Sequence, residues 1–125
     1  MRGKRKILII DDEKDFCYFV KFNLEVTKKF KVFVATNGKD GIKTAIRKKP
    51  DLILLDIMMP QIDGFAVLRS LKENIKTTAI PVVMLTALEQ DEAKLKANAL
   101  YSCDYFIKQI EMRTLITGID KILSN

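Results

Sequence analysis

Leu52-Ile53-Leu54-Leu55-Asp56 is an unbroken apolar run that ends on a carboxylate, and Ile57-Met58-Met59-Pro60-Gln61-Ile62-Asp63-Gly64 follows it. Four aliphatic residues without polar alternation suit a strand covered on both faces, the situation of a strand inside a parallel sheet. Asp56 then stands where the buried strand gives way to a loop. A carboxylate buried without a partner is costly or changes its pKa, so a residue placed there needs a cation or hydrogen-bond donors close by.

Runs of the same kind occur at Ile7 to Ile10, Val32 to Ala35, Val82 to Leu85 and Tyr105 to Ile107. The stretches between them carry helical spacing. Phe16, Phe19, Val20 and Leu24 share one face of the first, Ile42, Ala45 and Ile46 line the second, and Phe65, Leu68 and Leu71 the third. Ala93, Ala97 and Leu100 mark a weaker fourth; Met112, Leu115, Ile116, Ile119 and Leu123 mark a fifth, despite Gly118 inside it. Strand and helix alternate along the whole chain, which predicts an α/β fold, a doubly wound parallel sheet of five strands. At 125 residues, with 48% hydrophobic and 30% charged residues, the chain is sized for a single domain over residues 1–125. It ends two residues beyond the last helical pattern, so no output domain is expected.

The composition narrows the function classes. No apolar run approaches the roughly 20 residues of a membrane span, and the stretch after the basic start Arg2-Gly3-Lys4-Arg5-Lys6 is too short for a signal-peptide core. A cytoplasmic protein without membrane attachment is the expectation. Cys17 and Cys103 lack metal-ligand spacing and the chain has no histidine, so both read as reduced structural thiols. The formal charge of +6 comes from lysines spread over every helical stretch, without aromatic interleaving or a recognition motif, so direct nucleic-acid binding is not expected.

The polar residues that follow the strands carry the chemistry. Asp11-Asp12-Glu13 follow the first strand, Asp56 the third, Thr86 the fourth and Lys108 the fifth. In a parallel sheet all these ends lie on one edge, where open α/β folds bind ligands. Asp11, Asp12 and Asp56 would repel one another there. Lys108 cancels one charge, and a hard divalent cation such as Mg²⁺ would cancel the other two. A metal beside an ammonium and a hydroxyl suits the stabilisation of a phosphoryl group in transfer, with a carboxylate as nucleophile. Acids at a helix start can also serve as simple caps, the plainer reading of Asp11-Asp12-Glu13.

Taken together, Ile9-Ile10-Asp11-Asp12-Glu13, Asp56 through Gly64, Leu85-Thr86-Ala87 and Asp104-Tyr105-Phe106-Ile107-Lys108 resemble the receiver domain of two-component response regulators, most of all the single-domain chemotaxis and phosphorelay type. The resemblance implies a flavodoxin-like (βα)5 fold with sheet order 2-1-3-4-5. It implies that Asp56 accepts a phosphoryl group, in a Mg²⁺-dependent reaction, from a sensor histidine kinase or a histidine phosphotransfer protein. Asp12 would bind Mg²⁺ directly and Asp11 mainly through water, with Asp56 and the Met58 backbone carbonyl completing the protein ligands. Thr86 and Lys108 would contact phosphoryl oxygens. Tyr105 matches the aromatic that turns inward with the threonine, altering the surface of the fourth helix, fifth strand and fifth helix for a downstream protein partner. The protein would be a monomer or a phosphorylation-dependent dimer, and a switch that assists its own phosphotransfer rather than a turnover enzyme. The alternative function is a non-phosphorylated pseudo-receiver acting as a constitutive interaction module.

Two departures from the family carry expectations of their own. Gln109 follows Lys108 where the family usually has a proline joined by a cis bond, so a trans Lys108–Gln109 bond and a rearranged loop are predicted. Tyr101-Ser102-Cys103-Asp104 lacks the family's glycine before the last strand, which suggests a different turn there. Met58 and Leu88, two residues beyond Asp56 and Thr86, offer no polar group to orient an attacking water, and slow loss of phosphate is expected.

Overall fold

Aliphatic runs pair with one another because each must satisfy its backbone groups while hiding both faces from water. The computed structural model, which describes residues 3–60, 63–87, 104–108 and 111–124, shows how this chain does so. The strands are β1 (Arg5–Ile10), β2 (Phe30–Ala35), β3 (Leu52–Asp56), β4 (Val82–Thr86) and β5 (Asp104–Ile107). They form one sheet in the order β2-β1-β3-β4-β5, and every pairing is parallel. The described helices are α1 (Lys14–Glu25), α2 (Gly38–Lys48), α3 (Gly64–Glu73) and a C-terminal helix (Met112–Leu123). The predicted helix around Ala93, Ala97 and Leu100 lies outside the described residues, as do Leu88, Tyr101, Cys103 and the Lys108–Gln109 bond.

Alternate residues of each strand point to opposite faces, and the core divides accordingly. Ile7, Ile9, Leu52, Leu54, Val83 and Leu85 meet Cys17, Val20 and Leu24 of α1 and Leu115 and Ile119 of the C-terminal helix. Leu8, Ile10, Ile53, Leu55, Val82 and Met84 meet Ala45 of α2 and Val67, Leu68 and Leu71 of α3. The sheet is thus covered on both sides, as the unbroken apolar runs require. Full burial holds for β3 and β4 and for the last four residues of β1, while the edge strands β2 and β5 are only partly covered.

Phe19 departs from the sequence reading. Helical spacing puts it on the buried face of the first helix, yet it is 54% exposed, and Cys17 occupies the buried position together with Val20 and Leu24. The residues Cys17, Val20 and Leu24 follow the spacing i, i+3, i+7, which points to the core, whereas Phe19 falls to the side of that stripe. Gly118 also proves to be a packing requirement: a Cβ there would collide with the Phe106 ring.

Candidate functional site

The register brings the chemistry together. Ile10 pairs with Leu55, Asp56 with Leu85, and Thr86 with Ile107, so these strands end level on one edge. Pairing continues just past the strand ends: the Asp11 amide donates to the Ala35 carbonyl at 3.0 Å and the Lys108 amide to the Thr86 carbonyl at 2.7 Å. Asp11, Asp56 and Thr86 are all buried. Asp12 is half-buried, and the Lys108 side chain is only 11% exposed. The sequence-predicted residues Asp11, Asp12, Asp56, Thr86 and Lys108 therefore converge as expected.

The loop after Asp56 is held by its own backbone. The Met58 amide donates to Asp56 Oδ1 at 3.3 Å, and the Gly64 amide donates to the Ile57 carbonyl at 2.9 Å. Gly64 has no positive φ. Its need for glycine is one of space, because a Cβ would meet the Asp56 carbonyl and would lie 2.6 Å from Ile57 Cα. Asp63 caps α3, its Oδ1 accepting from the Phe65 amide at 2.8 Å. The Met58 side chain is exposed, and Met59 packs against the α2–α3 side of the core. Tyr105 sits on the edge strand β5, 37% exposed.

The capping reading of the acidic run does not hold. Glu13 is the residue before α1, but its side chain makes no cap hydrogen bond. Asp11 Oδ1 instead accepts from the Glu13 amide at 2.9 Å, which turns the chain and leaves Oδ2 facing the site. One carboxylate oxygen from each of Asp11, Asp12 and Asp56 lies within 4.8 Å of the others. Lys108 Nζ stands 2.7 Å from Asp11 Oδ2, 2.5 Å from Glu13 Oε1 and 3.6 Å from Asp56 Oδ2. Its ammonium also lies over the Phe16 ring, 4.9 Å from the centroid.

Electrostatics follow from this crowding. Burial, and then the charge of Asp11, pushes the Asp56 carboxyl up to about 7, against the pull of Lys108 and the Met58 amide. For Lys108, burial alone would lower the pKa; the contacts with Asp11 and Glu13 outweigh it and hold the ammonium above the usual lysine range. Three acids facing one buried ammonium leave a net negative site. Asp11 Oδ2 is buried and receives no aligned hydrogen bond among the described residues, although Lys108 lies close by. A buried carboxylate oxygen in that state, beside two further carboxylates, fits a hard divalent cation with oxygen ligands, and Asp11, Asp12 and Asp56 are the residues that could hold it.

Cys17 behaves as the sequence suggests. It is buried, donates from Sγ to the Asp11 carbonyl at 3.2 Å, and burial, with Asp11, pushes its thiol up to about 12. It is a packing residue that also steadies the Asp11 backbone. Sequence reasoning missed the part played by Glu13 and Phe16. Their spacing of three residues at a helix start was the available signal, but only the approach of β5 reveals that both meet Lys108.

Known proteins resemble this chain in sequence and fold. Residues 7–120 match the family described as the response regulator receiver domain. Protein PilH of Pseudomonas aeruginosa is 35% identical over 119 residues, covering 95% of this chain and 98% of that protein. The chain is 36% identical over 118 residues to the DNA-binding dual master transcriptional regulator RpaA of Synechocystis, covering 94% of this chain but only 48% of that protein. Among solved structures, the receiver domain of the Francisella response regulator 1452 superposes with a TM-score of 0.84 at 29% identity, over 97% of this chain and 98% of that one. The chemotaxis protein CheY4 of Vibrio cholerae shares the fold with a TM-score of 0.86 at 23% identity, over 95% and 98% of the two chains. With the acidic trio, Thr86 and Lys108 on one sheet edge, and with a match over nearly its whole length, this chain belongs to the response regulator receiver domain family.

Proposed function

We propose that this protein is a phosphorylation switch whose acceptor is Asp56, charged by a sensor histidine kinase or a histidine phosphotransfer protein. The observation that carries the reading is the burial of Asp56 at the meeting point of Asp11, Asp12 and Lys108. A carboxylate Oδ of Asp56 attacks the phosphorus of the donor phosphohistidine; the P–N bond breaks, the imidazole leaves, and an acyl phosphate forms. Asp56 must be ionised to attack, and the burial that raises its pKa means that positive charge has to be supplied. Mg²⁺ held by Asp11, Asp12 and Asp56, with the Met58 carbonyl as a further ligand, would supply charge neutralisation for the carboxylates and the phosphoryl oxygens.

Lys108 supplies the protein's own cation. Its ammonium is 3.6 Å from Asp56 Oδ2, close enough to pair with a phosphoryl oxygen attached there after a small shift. Thr86, buried at the end of β4, offers a hydroxyl at the same edge. A phosphoryl group that draws in Thr86 favours the state in which Tyr105 turns inward, a population shift read out on β5 and its neighbours. The protein assists its own phosphotransfer and does not turn over a substrate. Titration with beryllofluoride and Mg²⁺, followed by ¹H–¹⁵N NMR, is the test. Binding lost in Asp56→Ala, with shifts reaching Tyr105, is expected. No binding, or binding indifferent to that substitution, means a constitutive interaction module instead.

A further inference from the structure

Lys108 is the only cation that faces the acidic trio among the described residues, and its nearest partner is not a member of that trio. Glu13 Oε1 lies 2.5 Å from Nζ, nearer than Asp11 and more than an ångström nearer than Asp56 Oδ2 at 3.6 Å. The Glu13 carboxylate is 64% exposed, lies outside the group of acids that could hold a metal, and makes no helix cap. What it engages is Lys108. Phe16, one turn further along α1 and packed against the α1 side of the core, puts its ring beneath the same ammonium. Glu13 therefore marks a resting position for Lys108 at the rim of the site, and Phe16 gives it a floor.

We infer that Glu13 is a positioning residue that holds Lys108 back from Asp56, so that an incoming phosphoryl group must win the ammonium from it. This rests on the phosphoryl-acceptor reading of Asp56 and specifies how that site is restrained. A phosphoryl group bound at Asp56 is an anion, and it gains Lys108 only as the Glu13 contact is given up. Glu13 also leaves its own negative charge at the solvent side of the entrance. Both effects oppose the bound anion. Neutralising Glu13 removes both, while Asp11 and the Phe16 ring still keep the ammonium in the site. Because solvent screens so exposed a carboxylate, its removal corresponds to a roughly two- to five-fold change in affinity and no more.

The test compares the unaltered protein, Glu13→Gln and Asp15→Asn by NMR titration with beryllofluoride at saturating Mg²⁺. Asp15 is an exposed acid in the first turn of α1 with no ion pair to Lys108 among the described residues, so it controls for bulk charge. Glu13→Gln is expected to bind beryllofluoride roughly two- to five-fold more tightly, with a gain that shrinks at high salt. Its affinity for Mg²⁺ alone should fall slightly, because a nearby negative charge has gone. A gain for one ligand and a loss for the other is not what a loosened structure produces. Equal or weaker beryllofluoride binding by Glu13→Gln overturns the inference, as does an equal gain in Asp15→Asn. If the unaltered protein binds no beryllofluoride, the acceptor reading itself fails and this inference falls with it.

Discussion

Replacing Asp56 with asparagine should make the metal-free protein more stable at neutral pH, not less. Asp56 is 4% exposed and its carboxyl is raised from 3.8 to about 7, chiefly by burial and then by Asp11. Between those two values the folded protein keeps the proton and the unfolded chain has released it. Stability therefore falls as pH rises from about 4 to about 7, and levels off above that. At about 1.36 kcal/mol per pKa unit, the cost of the ionised carboxylate at pH 8 reaches about 4 kcal/mol. The amide that replaces it would carry no charge, and its oxygen could still accept from the Met58 amide as Asp56 Oδ1 does. Because Lys108 loses one of its neighbours in the exchange, a net gain of about 2–4 kcal/mol is expected, or roughly 6–15 °C in Tm. Urea denaturation in EDTA at pH 5 and pH 8 measures it. The advantage of Asp56→Asn should shrink by about 2–3 kcal/mol, to about 1 kcal/mol or less, at pH 5, and added Mg²⁺ should stabilise the unaltered protein more than the variant. If the variant is no more stable at pH 8, or its advantage does not narrow in acid, the account of Asp56 as a strained, cation-seeking carboxylate is wrong.

Other expectations follow from neighbouring residues. Gly64→Ala forces a methyl against the Asp56 carbonyl and the Ile57 backbone; it should cost about 2–3 kcal/mol in denaturation and weaken Mg²⁺ binding by displacing the acceptor loop. Met58→Asn places a water-orienting amide at an exposed position two residues past the acceptor, and phosphate loss measured from the phosphorylated protein should accelerate several-fold. Unchanged kinetics would dissociate Met58 from the slow hydrolysis expected here. Glu25 Oε2 accepts from the Val32 amide and from Lys21 Nζ, both at 2.9 Å, and ties the end of α1 to β2. Burial alone would raise its pKa, but these bonds outweigh it and hold it below the usual range. Glu25→Gln should therefore cost about 1 kcal/mol at pH 7. That contribution is present above about pH 4.5 and lost as pH falls through the lowered folded value, so the variant and the unaltered protein should converge in acid.

The strand positions, the two-sided burial of the central strands and the edge on which the chemistry gathers were all readable from the order of residues. That was possible because a parallel strand hidden on both faces must be continuously apolar, and a polar residue that ends such a run must lie at the sheet's edge. Asp11, Asp56, Thr86 and Lys108 were legible for that reason, each marked by the run before it. The expected sheet order came from the family resemblance, since apolar runs alone do not say which strand lies beside which. How charge is shared within the site emerged from the folded arrangement alone. Phe19 looked like core on helical spacing alone, yet it lies off the stripe that faces the sheet. Gly64 and Gly118 owe their places to close approach by other segments, which no local pattern encodes. Glu13 and Phe16 are remote from Lys108 in the chain, Glu13 by 95 residues, and meet it only because the start of α1 and the end of β5 reach the same rim. Ion pairing depends on distances of a few ångströms between segments remote in sequence, and folding alone sets those distances.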